Sequence, residues 1–176
     1  PRAVPGGMAF DPPFPPPLAA LRRLRFDAAD GDGMDFEPYD KFLPAAENAS
    51  WLAAWTGNRE LDGHEYRVFG QDGTGGYVAF WMVRKTHELL DQPVVFFGSE
   101  GELAILSRNF AHYLWLLAGG QGPYEVTAGY PRKPHPDFTL FATEHAPTAA
   151  RPGAEIVAAA RAEFPTFEAD ARALWR

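Results

Sequence analysis

The sequence predicts an α+β domain: a central, mainly antiparallel β-sheet that forms a meander through residues 66–106, packed by flanking helices. Two observations carry this prediction. Four short apolar segments follow one another at residues 66–69, 77–83, 94–97 and 103–106, with links too short for parallel crossovers. Helical patterns precede and follow this run of strands without interrupting it.

Two helical patterns precede the strands. A short helix or helical turn is predicted over Leu18–Phe26, where apolar residues recur at helical spacing. A second helix carries Trp51 and Trp55 on one face, and Asn48 or Ser50 is its predicted cap. Both helices are expected to pack against the sheet through their apolar faces.

Three helical patterns follow the last strand. Ser107 is predicted to cap the first of them, and the second spans roughly residues 153–164. The intervening residues 124–136 are rich in turn formers, so an irregular segment is expected there. The third pattern has a single apolar stripe, made of Phe167, Ala171, Leu174 and Trp175.

The length of 176 residues fits a single domain. The N-terminal stretch is rich in proline and favours extended conformations, so we expect an arm at residues 1–17 and one domain at residues 18–176. Because the chain starts with Pro1, Met8 is a candidate for the native start. No apolar run approaches the roughly 20 residues of a membrane helix and no signal-peptide pattern opens the chain, which predicts a cytoplasmic protein.

The composition excludes some kinds of site and partner. The chain has no cysteine, so disulfides, thiolate metal ligands and thiol nucleophiles are excluded. Its net charge of −7 disfavours nucleic acid and membrane surfaces as partners and favours a basic protein. Between residues 26 and 65, ten carboxylates are opposed only by Lys41 and Arg59. This stretch is expected to be either a solvated face or a docking surface for a cationic protein.

The glycine-rich segment FGQDGTGG, residues 69–76, raises the question of phosphate binding. A phosphate loop needs a lysine after its last glycine, and a dinucleotide-binding loop needs a helix to follow. Here Gly76 is followed by the strand-like segment 77–83. Glycines also suit the positive φ angles of tight hairpins, so we predict a turn between two strands.

The polar residues do not form a recognised catalytic or metal-binding pattern. The five histidines lack metal-ligand spacing, so neither a metal nor another cofactor is predicted, and His112 is expected to be exposed. Ser99 lies in a motif one residue shorter than a nucleophile elbow. Glu100 and Glu102 would share one face of a strand, as an acid–base pair does, although solvent-facing carboxylates are the simpler interpretation. We therefore predict that the chain is not an enzyme.

The order of four motifs resembles the SMI1/KNR4 family of the SUKH superfamily. The motifs are Trp51 with the WTGN of residues 55–58, YRVFGQDGTGG of 66–76, PVVFFGSEGE of 93–102, and Asn109-Phe110 followed by LWLLAGG of 114–120. The resemblance covers roughly residues 36–125. It implies a SUKH-like α+β fold and no catalytic residues. It also implies a protein-binding function, because bacterial members resemble immunity proteins that neutralise polymorphic toxins, many of them nucleases.

The partner implied by this resemblance is a protein, in particular a basic toxin domain. Acidic side chains would complement its charge, and half-exposed aromatic rings would serve as anchors. The alternatives are that the glutamine and aspartate of the turn only shape it and that the aromatic residues belong to the core. The candidate contacts are Asp62, Glu65, Gln71, Asp72, Tyr77, Trp81, Glu100 and Glu102.

Two other functions remain open from the sequence. One is a housekeeping regulatory or scaffold protein of the same family, with no toxin partner. The other is a small-ligand-binding enzyme that uses the glycine-rich hairpin together with Glu100 and Glu102. It would need a concave pocket where those two segments meet.

Overall fold

The computed structural model describes residues 13–26, 34–85, 87–129 and 132–176. It confirms the predicted α+β fold: five antiparallel strands form one sheet in the order β1-β2-β3-β4-β5, which is their order in the chain. Residues 1–12 of the predicted arm, including Met8, lie outside the described ranges. Within those ranges, no helix has the length and apolar character needed to cross a membrane.

The meander gains one strand that the sequence did not predict. This first strand is only two residues long and ends in a proline, so it carries no recognisable strand pattern. The third strand ends at Trp81 rather than at Val83. The strands are β1 Glu37–Pro38, β2 Tyr66–Gln71, β3 Tyr77–Trp81, β4 Val94–Phe97 and β5 Leu103–Ser107.

The helices lie before and after the sheet, but the region after β5 is more helical than expected. The predicted irregular stretch 124–136 contains a short helix that begins with Pro123, and a further helix begins at Pro136. Proline fits the first turn of a helix because its missing N–H has no partner there in any case. The helices are α1 Pro16–Ala20, α2 Ala45–Thr56, α3 Phe110–Ala118, α4 Pro123–Ala128, α5 Pro136–His145, α6 Gly153–Glu163 and α7 Phe167–Arg172.

Two predicted helix caps are wrong. Asn48 lies inside α2, where its side-chain amide donates to the carbonyls of Gly63 at 2.7 Å and Tyr66 at 3.1 Å. Asn109, not Ser107, caps α3, because its Oδ1 accepts the N–H of His112 at 2.8 Å. Asn48 thus fixes α2 to the start of β2, and Asn109 caps its own helix.

Side chains alternate between the two faces of the sheet, and helices cover both. One face, which we term the α3 face, is covered by α1, α3 and α5. The other, which we term the α2 face, is covered by α2 and α7. Helix α6 passes beside the edge strand β5 and contributes Ile156 to the first face and Ala160 to the second. All residues of β5 are buried.

Phe97 is the centre of the α2 face and is 1% exposed. Its ring meets Trp51 and Trp55 of α2 edge-to-face, both with ring centroids 5.2 Å away. It also meets Tyr66 of β2 at 4.9 Å and Phe167 of α7 at 6.1 Å. One ring on β4 therefore contacts β2, which lies beyond β3 in the sheet, and two helices.

Replacing Phe97 with alanine should lower the free energy of unfolding by about 3–5 kcal/mol, because the lost ring leaves a cavity among four aromatic neighbours. Urea unfolding of the two proteins measures the difference. Leu140→Ala is the control, since Leu140 is 70% exposed and should change stability by less than about 0.5 kcal/mol. Similar losses for the two variants would contradict the central role of Phe97.

Candidate protein-binding surface

The predicted contact residues separate into two groups at opposite ends of the sheet. Gln71 pairs with Tyr77 and Tyr77 with Phe97 at the end that carries the β2–β3 and β4–β5 turns, which we term the turn end. Tyr66 pairs with Trp81 at the opposite end. The two ends are roughly 17 Å apart at the usual rise of a strand. The turn end holds Gln71, Asp72, Tyr77, Glu100 and Glu102, and the opposite end holds Asp62, Glu65 and Trp81.

The opposite end offers little that is free to anchor a partner. The Asp62 carboxylate accepts the backbone N–H of His64 at 3.0 Å and contacts its ring nitrogen, and these bonds lower the pKa of Asp62. Trp81 is half-buried and packs on Phe164 at 5.5 Å and Phe167 at 5.1 Å. Glu65 is exposed.

The glycine-rich segment forms the β2–β3 turn, as predicted, and its amides bind the chain's own carboxylates. Asp72 is 2% exposed, and its Oδ1 accepts the N–H groups of Thr74 at 3.0 Å and Gly76 at 2.7 Å. The Thr74 hydroxyl donates to the same oxygen at 2.8 Å. Asp35 accepts the N–H of Gly73 at 2.5 Å. The donors that a phosphate loop would present are thus occupied, and Asp72 is buried away from any partner.

The β4–β5 turn places its two glutamates differently from the prediction. Glu100 and Glu102 lie in the turn and not on a strand, so the expectation that they share a strand face is wrong. The N–H of Glu100 donates to Oε2 of Glu102 at 3.0 Å. The Ser99 hydroxyl donates to Oγ1 of Thr74 at 3.0 Å, which joins the two turns.

An acidic aromatic patch lies at the turn end on the α2 face. It joins the predicted Gln71 and Tyr77 with side chains from β1, from the residue that follows β1, and from α2. Its three aromatic rings are half-buried, and its two glutamates are exposed. The patch consists of Glu37, Tyr39, Glu47, Trp51, Gln71 and Tyr77.

Direct contacts fix the geometry of the acidic aromatic patch. Trp51 and Tyr77 meet edge-to-face with ring centroids 4.9 Å apart and an interplanar angle of 82°. The Tyr39 hydroxyl donates to Oε1 of Gln71 at 2.7 Å, and Nε2 of Gln71 donates to Oε2 of Glu37 at 3.0 Å. Rings and polar groups are therefore held in place by contacts within the chain, an arrangement that would lower the entropic cost of binding a partner.

The electrostatic field of the acidic aromatic patch is negative. Burial, and then the neighbouring Tyr77, Glu37 and Glu47, raise the pKa of the Tyr39 hydroxyl well above its ordinary value. Among the described residues, neither glutamate has a lysine or arginine within 4.0 Å. Their charges are therefore not neutralised within the described part of the chain.

His112 corrects another prediction, because it is 8% exposed and not at the surface. Burial lowers its pKa, and the charges of Arg151 and Arg108 act in the same direction. The sequence misses this because α6, which is distant in the chain, also packs against α3. Within the described ranges, no three histidine or acidic side chains are close enough to hold a metal ion.

Asp72→Ala should lower the free energy of unfolding by about 1–3 kcal/mol, because the amides of Thr74 and Gly76, the second of them buried, lose their acceptor. Asp72→Asn is the matched control, since its side-chain oxygen can still accept from Thr74 and Gly76. Asp72→Asn should lower the free energy of unfolding clearly less than Asp72→Ala does. Equal losses in urea unfolding would mean that the carboxylate charge, and not the acceptor, holds the turn.

His112 should make stability depend on pH between neutrality and mild acid. Because its folded pKa is lowered, the unfolded chain takes up the proton first. The free energy of unfolding is therefore retained at pH values above the unfolded-state pKa of about 6.5. It falls as the pH drops towards the folded-state pKa. His112→Gln should lose this part of the slope in urea unfolding measured across that window. Parallel curves for the two proteins would contradict the buried, neutral state.

Comparisons with other proteins leave the family of this chain as a prediction. No family model, no curated protein and no solved structure matches it. The resemblance to the SMI1/KNR4 family therefore continues to depend on the four ordered motifs. The functional argument depends on the geometry and charge of the acidic aromatic patch.

Proposed function

We propose that this chain is a non-enzymatic protein-binding module of the SMI1/KNR4 (SUKH) type. In this proposal it acts in the cytoplasm as a bacterial immunity protein that binds and neutralises a basic domain of a polymorphic toxin, such as a nuclease. The observation that carries the proposal is the acidic aromatic patch. The ordered motifs of the sequence support the same function independently.

The charge of the acidic aromatic patch suits a basic partner. The carboxylates of Glu37 and Glu47 have no cation within salt-bridge distance among the described residues, and the whole chain carries a net charge of −7. Such a field accelerates encounter with a cationic domain and repels nucleic acid. An inhibitor that covers the basic substrate site of a nuclease needs both properties.

The aromatic side chains of the acidic aromatic patch suit a tight complex. Trp51, Tyr39 and Tyr77 are half-buried, so each presents apolar surface while its conformation is already fixed by packing. Tyrosine and tryptophan are enriched among the residues that dominate binding energy at protein interfaces. The patch therefore combines half-buried aromatic anchors with exposed charges.

The function is tested by co-purifying the full chain with the proteins encoded by the genes that flank its own. We expect a stable complex with a basic toxin domain and rescue of the growth of cells that express this toxin. Recovery of a non-toxin partner would favour the scaffold alternative. If no flanking gene product binds, the immunity function is wrong.

Glu37→Gln combined with Glu47→Gln should weaken that complex about tenfold or more, mainly through slower association at low salt. The matched control combines Glu144→Gln with Glu155→Gln, which removes the same charge from exposed positions on α5 and α6. Surface plasmon resonance at two salt concentrations separates the two variants. Equal weakening by both would show that net charge, and not the acidic aromatic patch, directs binding.

A further inference from the structure

We infer that the acidic aromatic patch recognises an arginine side chain of its partner, with the guanidinium over a tyrosine ring and paired with a glutamate. This inference rests on the proposed protein-binding function and specifies its chemistry. A planar guanidinium stacks on an aromatic face and donates in parallel to a carboxylate, whereas a lysine ammonium is a hydrated point charge. A site that offers both groups side by side therefore favours arginine.

The chain already contains this arrangement at another place. The guanidinium of Arg84 lies 5.0 Å from the centroid of Phe164 and donates to Oε1 of Glu163 at 2.7 Å. A second arginine, Arg172, lies 5.4 Å from the centroid of Trp175. Both cations come from the chain itself, so these two sites are occupied internally.

The acidic aromatic patch has the same aromatic and acidic parts, without an internal cation among the described residues. Glu37 is oriented by Gln71, which also holds the Tyr39 hydroxyl. The charges that act on Tyr39, namely Tyr77, Glu37 and Glu47, all oppose its ionisation, and none of the described arginines lies over its ring. A partner arginine would complete here the contact that Arg84 makes with Phe164 and Glu163.

The groove near the end of α2 is a less suitable site for such a cation. Its volume is about 500 Å³, and Trp55, Trp175 and Arg176 line it. Arg176 pairs with Glu60 at 2.9 Å, and Arg172 already lies over Trp175. One cation of the chain thus lines this groove and another covers one of its rings, and both oppose a further cation. The charge favours the acidic aromatic patch instead.

The inference is tested with the folded full chain and a small probe, N-acetyl-L-argininamide, followed by ¹H–¹⁵N NMR. The indole N–H signal of Trp51, assigned with Trp51→Phe, reports on the acidic aromatic patch. We expect a saturable shift with a dissociation constant on the order of millimolar, as befits a single cation–π contact with an ion pair. N-acetyl-L-citrullinamide has nearly the same shape without the charge and should bind about tenfold more weakly or not at all.

Variants locate the site. Glu37→Gln combined with Glu47→Gln should weaken argininamide binding about fivefold or more, whereas the Glu144→Gln and Glu155→Gln control should leave it nearly unchanged. The NMR spectra report directly whether each variant is folded. Equal shifts with citrullinamide, equal binding of N-acetyl-L-lysinamide, or no saturable shift of Trp51 would each overturn the inference.

The outcomes also separate this inference from the proposed function. If a toxin complex forms but argininamide does not bind the acidic aromatic patch, the arginine inference fails and the immunity function stands. If argininamide binds as expected but no flanking gene product does, the arginine site stands and the immunity function fails.

Discussion

The packing around Phe97 is the constraint on which the α2 face depends. Four rings from two helices and one strand meet it at centroid distances of 4.9–6.1 Å. Trp51 is one of them, and Trp51 also contacts Tyr77. The position of the acidic aromatic patch is therefore set from inside the core. Trp51 and Tyr77 of the surface that we assign to binding are held in place by packing that continues to the buried ring of Phe97.

The order of the main elements could be predicted from sequence because local patterns determine it. Short links between apolar segments allow only an antiparallel meander, and the sheet has that form. The prediction of an irregular segment at residues 124–136 was wrong, because a helix begins at Pro123. The Glu125 carboxylate of this helix accepts the N–H of Gly122 at 3.0 Å. That bond is a local capping contact, and the spacing of Pro123 and Glu125 that indicates it was missed among the turn-forming residues.

The candidate site could be predicted only in part. Gln71 and Tyr77 stood out because they flank a glycine-rich turn, but Glu37, Tyr39 and Glu47 come from segments more than twenty residues earlier in the chain. They reach the acidic aromatic patch through the pairing of β1 with β2 and the crossing of α2 over the sheet. No pattern within the sequence places these distant segments together, because their contact depends on a strand of two residues.

The carboxylates of this acidic chain have two different uses. Asp72, Glu125 and Glu163 are bonded to backbone amides or arginines of the chain itself. These carboxylates stabilise a turn, a helix cap and contacts between segments of the chain. Glu37 and Glu47 lie at the surface without such cations in the described part of the chain. The net charge alone therefore does not locate a binding surface, and the proposed one is defined by carboxylates that lie beside half-buried aromatic rings without a cation of the described chain.

The two edges of the sheet limit how any partner can bind. On one side β1 spans only two residues, and the second is a proline without an N–H to donate. On the other side every residue of β5 is buried beside α6 and α7. Within the described ranges, neither edge offers the row of free backbone groups that strand addition requires. Recognition of the proposed partner would then depend on side chains, and its specificity could change through surface substitutions while the sheet stays the same.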